Sequence, residues 1–200
     1  SLVNEKTFLE NEVQLINPLV SDYSNLKVSL LPNLIKTVKE NFKQGTLFLE
    51  GFEYGHVFFK NNSNKFNEKE CVAGVFGGIK TKLSWSQSES PLSWFEAKGK
   101  MEQFFNQLNI KVDWKENSIE SFKNFLHPFR IAELYLENKE KLGIFGQINP
   151  LLANQLDITS EIYLFELDIK KIQTEINKNT ISISKDYSSY PKITKDISFI

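Results

Sequence analysis

The 200-residue sequence has one cysteine, two histidines, one methionine and a single arginine, Arg130, among its 24 basic side chains. A lone cysteine excludes an internal disulfide framework and is typical of a reducing compartment. Cys71, His56 and His127 are too few and too scattered for a zinc-binding pattern. Neither Gly-x-Gly-x-x-Gly nor Gly-Lys-Ser/Thr occurs, so no phosphate-binding loop is predicted.

Long hydrophobic runs are also missing. No apolar stretch approaches the roughly 18 residues that a membrane-spanning helix needs, and no signal peptide is recognised. The first residue is Ser1 and not Met, which favours a segment excised from a longer chain. The 25 acidic and 24 basic side chains are mixed, and a net charge of −1 disfavours nucleic-acid binding through charge alone. We expect a cytoplasmic or organellar protein without a membrane partner.

Apolar residues are plentiful. Hydrophobic residues make up 40% of the sequence and aromatic residues 13%, which is enough for a substantial core. Lysine accounts for every basic side chain except Arg130, and Asn, Ile and Phe are abundant. This bias is typical of an AT-rich genome and favours a plastid source. It also weakens conclusions from missing arginine, because lysine replaces arginine wherever only charge is needed.

An amphipathic helix is predicted over residues 29–44, with Gly45 where a C-terminal cap would stand. Its apolar face consists of Leu31, Leu34, Ile35, Val38 and Phe42. Burying five such side chains stabilises a fold by about 10 kcal/mol before entropy is counted. Periodicity cannot decide whether this chain's sheet or a partner's helix covers the face, and without other information the core is favoured.

The remaining pattern predicts a sheet-dominated α+β domain. Expected strands are 46–59, 71–79, 110–114, 131–136, 143–148 and 162–168. Expected further helices are 94–108 and a short helix after Asn149-Pro150. The Asn-rich cluster at 61–64 predicts a loop, with a hairpin as the simplest connection between the first two strands.

Residues that could carry chemistry show no convergent pattern. His127-Pro128 is typical of a conformational device, because the residue before proline is pushed into extended geometry. The stretch from Gly74 to Gly78 lies inside an apolar run, which favours close backbone packing over phosphate binding. Carboxylates on the predicted elements are Glu53, Glu96, Glu133, Glu166 and Asp168. Each is interpreted as a solvated or hydrogen-bonded residue, not as half of an acid/base pair.

The last segment, 169–200, is rich in lysine, with six lysines against three acidic residues. Such an excess could approach nucleic acid, but a solvated linker is the preferred interpretation. The apolar run 197–200 predicts the first strand of another domain. We therefore expect one domain over 1–183 and the start of a second over 184–200.

Nine short motifs, in order along essentially the whole chain, resemble the β subunit of bacterial-type phenylalanyl-tRNA synthetase. They are VQLINPL (13–19), LKVSLLP (26–32), FEYGHVF (52–58), CVAG (71–74), AKGKME (97–102), HPFRIA (127–132), GIFGQINP (143–150), FELD (165–168) and YPKITKD (190–196). Three lysines, Lys27, Lys43 and Lys195, stand where the family usually has arginine, and Phe129 replaces its usual glycine. Lysine keeps the charge but loses the planar two-point fork of arginine.

The resemblance implies a class II aminoacyl-tRNA synthetase-like fold without catalytic residues. Its implied role is structural: docking on the catalytic α subunit in a heterotetramer of two α and two β subunits. The whole enzyme would attach phenylalanine to its tRNA using ATP and magnesium. The family's editing site and β-subunit magnesium ligands lie upstream of Ser1, and its anticodon-binding region lies beyond Ile200. No catalytic residue, cofactor or metal ligand is thus expected here, although residues 184–200 resemble the entry to the ferredoxin-like anticodon-binding domain.

The resemblance also places the first helix at the subunit interface, in a four-helix bundle. It moves Leu31, Leu34, Ile35, Val38 and Phe42 from the core interpretation toward partner contact. His127, Pro128 and Arg130 are expected to form a structural motif that is not assigned to ATP. Two alternatives stay open: a tRNA-binding module acting through the lysine-rich tail, and an active class II ligase domain. The second would have only Arg130 for phosphates where two arginines are expected.

Overall fold

A computed structural model of the chain describes residues 13–14, 25–60, 65–79, 90–116, 122, 124–178 and 195–198. Its strands are β1 (Val13–Gln14), β2 (Asn25–Leu26), β3 (Phe48–Lys60), β4 (Phe66–Gly78), β5 (Val112–Glu116), β6 (Leu126–Leu136), β7 (Lys141–Ile148) and β8 (Ile162–Asp168). Its helices are α1 (Leu31–Lys43), α2 (Trp94–Gln107), α3 (Pro150–Gln155) and α4 (Ile169–Lys178).

Six strands form one sheet in the order β3-β4-β8-β7-β6-β5. Every neighbouring pair in this sheet is antiparallel. The β3–β4 hairpin runs from Phe48 opposite Gly78 to Lys60 opposite Phe66. β1 and β2 make a separate two-stranded pair. The expected α+β fold, the hairpin and the antiparallel character of the sheet are confirmed.

The sheet has a core on each face, because successive strand residues point to opposite sides. On β8, Ile162 and Leu164 join the core under α1 and α3, whereas Tyr163 and Leu167 join the core under α2 and α4. The domain therefore has three layers, helices–sheet–helices. The two helical faces are called below the α1 face and the α2 face.

Local signals explain where the helices begin. α2 starts after Ser93, whose hydroxyl accepts from the Glu96 N–H while the Glu96 carboxylate accepts from the Ser93 N–H. This reciprocal capping box satisfies two donors that a helix start otherwise leaves free. α3 begins at Pro150, and the Asn149 side chain accepts from the Leu151 N–H. Both helices had been predicted.

Helix α4 was not predicted, and the expectation of a solvated linker directly after β8 is wrong for residues 169–178. The helix buries Ile172, and Ile176 packs against the same core. Asp168 Oδ1 accepts from the Lys171 N–H at 3.2 Å and so supports the first turn. Ile169, Ile172 and Ile176 recur at helical spacing, but the segment was interpreted from its lysine-rich composition, and this spacing was not used.

Three further expectations differ from the structure or lie wholly or partly outside the described residues. β6 begins at Leu126, before the predicted start at residue 131, and its register shifts between Leu126 and Ile131. The loop at 61–64 lies outside the described residues. Of the predicted strand 197–200, only Ile197 and Ser198 are described, and neither has a regular secondary structure.

Candidate functional site

Helix α1, the candidate interface helix, rests on the sheet through its apolar face. Leu31, Leu34, Ile35 and Val38 are at most 5% exposed, and all four belong to the core of the α1 face. Phe42 is partly buried and packs against the same core. The chain's own fold covers Leu31, Leu34, Ile35 and Val38, so a partner would have to displace the sheet to reach them, whereas partner contact by Phe42 stays a prediction. A partner of α1 would contact its outward side.

The start of α1 is held by a carboxylate from β8. No side chain of the helix itself caps this end. Glu166 Oε2 accepts from the Ser29 hydroxyl at 2.8 Å and from the Leu30 N–H at 2.7 Å, and Ser29 Oγ accepts from the Leu31 N–H at 3.2 Å. Because the first N–H groups of a helix lack internal acceptors and carry partial positive charge, a carboxylate stabilises this end. Glu166 thus fixes the first turn of α1 to the sheet.

The environment of Glu166 opposes its charge. Burial raises the pKa of Glu166, while the hydrogen bonds from Leu30 and Ser29 and the positive charge of Lys69 act in the opposite direction. On β4, burial raises the pKa of the Cys71 thiol to about 12, with a further contribution from Glu166. Cys71 is 1% exposed. The only thiol of the chain is therefore a core group, not a nucleophile.

His127 holds a tight turn at the start of β6. Its Nδ1 accepts from the Phe129 N–H at 3.0 Å and from the Arg130 N–H at 3.1 Å. An acceptor nitrogen must be unprotonated. Burial, followed by the Arg130 guanidinium, lowers the pKa of His127, which favours this neutral form. The side chain of Phe129 projects into solvent and is 87% exposed.

Arg130 is tied to its own sheet. Its Nη1 donates to Gln147 Oε1 at 2.9 Å and to Glu161 Oε1 at 3.1 Å. The Tyr163 hydroxyl oxygen lies 2.9 Å from both Glu161 Oε2 and the Leu92 carbonyl oxygen, and the two acceptors share its single proton. Burial and the Glu161 carboxylate raise the pKa of Tyr163, so its hydroxyl stays protonated and donates. Sequence reasoning missed Gln147 and Glu161, because no local signal links them to Arg130.

The carboxylates that sequence analysis considered are separated, and most have their own partner. Glu53 pairs with Lys27 at 2.9 Å, Asp168 with Lys69 at 3.4 Å, and Glu133 with Lys141 at 2.6 Å. Glu96 and Glu166 support helix starts, as described above. The contacts of these carboxylates are therefore ion pairs and hydrogen bonds that support the fold. No two of them are hydrogen-bonded to each other as an acid/base pair.

Gly74 lies where two strands approach closely. A Cβ atom at this position would lie 2.3 Å from Cζ of Phe165, its cross-strand neighbour on β8. Gly77 has φ of 142° and Gly78 has φ of 103°, a region that side chains disfavour. The glycine-rich stretch thus serves backbone packing, as its place in an apolar run predicted.

An open apolar cleft of about 360 Å³ lies between β3 and α2. Phe52 and Phe104 line it, and Phe52 is 78% exposed. At its edge Lys100 pairs with Glu50 at 3.0 Å. Sequence periodicity could not find this cleft, because its walls come from β3, β4, α2 and β8.

Metal and membrane features are absent from what is described. Within the described ranges, no group of three or more His, Cys, Asp or Glu residues is arranged to hold a metal ion. None of the helices of the described part is both long and apolar enough to cross a membrane.

Comparisons with known proteins give similar sequences over the whole chain. It is 54% identical over 200 residues to the chloroplastic phenylalanine–tRNA ligase beta subunit of Phaeodactylum tricornutum, covering 100% of this chain and 28% of that protein. It is 37% identical over 194 residues to the beta subunit of Trichormus variabilis, covering 95% of this chain and 23% of that protein. The chloroplastic beta subunit of Porphyra purpurea is 37% identical over 205 residues and likewise 28% covered. The chain thus spans about a quarter of the length of these relatives.

Among solved structures, the fold is similar to that of a pyrrolysyl tRNA synthetase, PylSc, from Desulfitobacterium hafniense. The TM-score is 0.56 at 12% identity, and the match covers 86% of this chain and 55% of that one. Residues 1–169 match the family described as the phenylalanyl tRNA synthetase beta chain CLM domain. With the beta-subunit relatives, this match shows that the chain belongs to the phenylalanyl tRNA synthetase beta chain family.

Proposed function

We propose that the chain is the non-catalytic core domain of the β subunit of a phenylalanine–tRNA ligase. In this role it docks on the catalytic α subunit and supports an assembly of two α and two β subunits. The complete enzyme attaches phenylalanine to its tRNA with ATP and magnesium, which are bound outside this chain. Family membership supports the proposal, because the similar beta subunits carry the name of this ligase.

The observation that carries the non-catalytic role is the position of Arg130. It is the only arginine of the sequence. Its Nη1 donates to Gln147 and Glu161. An ATP-dependent ligase needs cationic forks aimed at phosphate oxygens, and this guanidinium is already bound to partners on its own sheet. The contacts of Arg130 within the described residues therefore support a non-catalytic role.

The finer fold assignment is a class II synthetase-like core. The antiparallel order of the sheet, with helices on both faces, and the similarity to PylSc support it. The proposed domain extends over 1–183, and 184–200 would begin the next, ferredoxin-like domain. Chloroplastic relatives and the lysine-rich composition support a plastid stroma location.

The proposed docking element is the outward side of α1. The chain's own sheet covers the apolar side of α1. This packing fixes the orientation of the helix, which can present its other side to the α subunit. Docking through a rigid, preoriented helix costs less ordering entropy than docking through a loop.

A tRNA-binding role for the lysine-rich tail is not favoured. Of the four lysines in the described part of the tail, three lie within 4.0 Å of a carboxylate: Lys170 of Glu70, Lys171 of Glu140 and Lys178 of Glu175. Lys195 has no such partner among the described residues. Paired lysines contribute less to phosphate binding, because binding would first have to break these pairs.

The test is phenylalanine-dependent ATP–pyrophosphate exchange with the full-length β subunit alone, the α subunit alone and the co-expressed complex. We expect exchange only where the α subunit is present, and we expect the β subunit to co-purify with it. Exchange by the β subunit alone, or heat of ATP binding to it in calorimetry, would overturn the proposal in favour of an active ligase domain.

A further inference from the structure

The cleft between β3 and α2 combines aromatic walls with a single ion pair. Four phenylalanine rings and one thioether line it: Phe52, Phe76, Phe104, Phe165 and Met101. Phe52 is 78% exposed and Phe104 is 37% exposed, so a ligand can reach these rings from solvent. Exposed aromatic area favours binding, because covering it removes apolar surface from water. The cleft is therefore suited to an apolar ring.

One positive and one negative group stand side by side at the edge of this cleft. Among the described residues that line it, only Glu50 and Lys100 are charged. Lys100 Nζ lies 3.0 Å from Glu50 Oε1, and both side chains are partly exposed. The same ammonium lies 5.8 Å from the centroid of the Phe76 ring, which is within the range of a cation–π contact. An exposed ion pair contributes little by itself, so a ligand that shares the pair gives up little stability.

Size and charge spacing both fit an α-amino acid with an aromatic side chain. The cleft volume of about 360 Å³ lies near the lower end of the roughly 300–1,000 Å³ typical of ligand sites. An α-amino acid carries its ammonium and its carboxylate on the same carbon atom, so its two charges are close together, as those of Glu50 and Lys100 are. The ammonium can pair with Glu50 and the carboxylate with Lys100 while the ring packs against the phenylalanine rings.

We propose that this cleft binds a free aromatic amino acid as a zwitterion, with its ring among the phenylalanine side chains and its two charges on Glu50 and Lys100. The inference goes beyond the proposed function, because it concerns binding by the β subunit alone. It requires neither the α subunit nor ATP.

Other ligands match the cleft less completely. A nucleotide or RNA needs an excess of positive charge, whereas Glu50 balances Lys100 and repels phosphate. A ligand with one charge pairs with one of these residues and is repelled by the other. A ligand without charge leaves both of them unused. Only a zwitterion complements both charges while its ring fills the apolar part.

The expected affinity is weak. An aromatic side chain buries roughly 150–250 Å², and covering an area of that size corresponds to a dissociation constant on the order of 1 mM. The site therefore fills and empties as the concentration of the free amino acid changes.

The experiment follows Met101 in the full-length β subunit without the α subunit. Met101 lines the cleft and is the only methionine of this sequence. Its isotope-labelled methyl group is observed by NMR, and its signal is assigned by its loss in Met101→Leu. An aromatic ring bound beside the methyl group shifts this signal through its ring current. Binding elsewhere on the subunit is thereby separated from binding in the cleft.

The ligands test the ring and each charge in turn. They are phenylalanine, phenethylamine without the carboxylate, hydrocinnamate without the ammonium, and leucine without the ring, the last by competition with phenylalanine. We expect phenylalanine to shift the Met101 signal with a dissociation constant on the order of 1 mM. We expect each of the other three to bind at least about fivefold more weakly.

Variants of the cleft test the two charges from the protein side. Glu50→Lys and Lys100→Glu each leave two like charges at the cleft, and we expect at least about fivefold weaker binding of phenylalanine. The double exchange Glu50→Lys/Lys100→Glu restores one charge of each sign and should regain most of the affinity. Lys111→Glu, which alters an exposed pair with Glu137, is the matched control and should change nothing.

Phe52→Ala tests the aromatic wall. It removes an exposed ring, so we expect severalfold weaker binding of phenylalanine with the fold retained, and thermal unfolding of every variant checks the fold.

Three results would overturn the inference. The first is a Met101 signal that phenylalanine does not shift. The second is equal binding of phenylalanine and its singly charged analogues, or equal binding by the single reversals and the control. The proposed function would stand in both cases, because it depends on the α subunit and not on this cleft. The third is a Phe52→Ala variant with unchanged phenylalanine binding but altered association with another protein chain, which would make the cleft a protein interface.

Discussion

The Glu166 carboxylate accepts a hydrogen bond from the Ser29 hydroxyl at 2.8 Å, although 137 positions separate the two residues in sequence. The same oxygen accepts from the Leu30 N–H. β8 and α1 are thereby joined at the point where the helix begins. The start of the proposed docking helix is therefore tied to the sheet by one acceptor, in addition to the packing of its apolar face.

The first prediction concerns the acceptor at this position. Glu166→Ala leaves the Ser29 hydroxyl and the Leu30 N–H without their partner, and we expect a loss of about 2 kcal/mol in the free energy of unfolding. Glu166→Gln is the matched control, since its amide oxygen can accept both bonds. Urea unfolding at neutral pH measures both variants. A Gln variant as unstable as the Ala variant would show that charge, and not the acceptor, holds the helix.

The second prediction concerns the pH dependence of the same group. Burial raises the pKa of Glu166 in the folded state. The folded protein then keeps this proton at pH values where the unfolded chain has released it. The contribution of this proton to the free energy of unfolding is fully present below the pKa of an unfolded Glu, about 4.3. It is lost as the pH rises through the pKa of the folded state. E166Q does not titrate, so we expect the stability difference between E166Q and the wild type to grow in favour of E166Q as pH rises from 4.

Unfolding series at matched pH values measure this difference. Lys69 and Cys71, which interact electrostatically with the Glu166 carboxylate, are common to both proteins, so their titration largely cancels. A difference that stays constant across the series would contradict the raised pKa.

Much of the fold could be predicted from the sequence, because its elements have strong local signals. α1, α2 and the apolar strands follow from periodicity, and Ser93 and Pro150 mark helix starts. α4 was missed although Ile169, Ile172 and Ile176 recur at helical spacing, because its many lysines favoured the interpretation as a solvated linker. What a short amphipathic segment packs against is decided by tertiary structure.

The candidate site was less accessible to sequence analysis. Periodicity favoured the core for the apolar face of α1, which the burial of Leu34 and Val38 supports, whereas the family resemblance moved it toward a partner. The supports of Arg130 and of the α1 start come from distant strands. No spacing rule connects Glu161 to Arg130 or Glu166 to Ser29, since only strand order brings them together.

The third prediction concerns His127. Its Nδ1 is a double acceptor, and a lowered pKa in the folded state means that protonation is opposed by folding. The contribution of neutral His127 to the free energy of unfolding is fully present above the pKa of an unfolded His, about 6.5. It is lost as the pH falls through the pKa of the folded state. We expect His127→Asn, whose side-chain oxygen can accept without titrating, to remove this acid-side loss. Chemical unfolding from pH 7 down to 5 measures it; an identical acid-side loss in the variant would contradict the assignment.

The fourth prediction separates a structural Arg130 from a phosphate-binding one. Arg130→Lys keeps the charge, but its ammonium group lies closer to the backbone than Nη1, the nitrogen that donates to both Gln147 and Glu161. The Arg130–Glu161 pair is partly exposed, so we expect a modest loss of stability, about 1 kcal/mol or less. The rate of phenylalanine-dependent ATP–pyrophosphate exchange by the complex with the α subunit should stay unchanged. A large fall in this rate, with the complex intact, would instead place Arg130 in the chemistry.

The fifth prediction concerns the close approach of β4 and β8. Gly74→Ala would place a methyl group 2.3 Å from the ring of Phe165, and we expect the resulting displacement to cost about 2 kcal/mol or more. Gly99→Ala in α2 is the matched control: nothing lies within 4 Å of the added atom. Because alanine favours helix over glycine, this control should stabilise the protein by about 0.5–1 kcal/mol.

The double variant Gly74→Ala/Phe165→Leu frees space at the contact. Its loss of stability should therefore be smaller than the sum of the losses in the two single variants. Strict additivity in this cycle would mean that Phe165 is not what requires glycine at position 74.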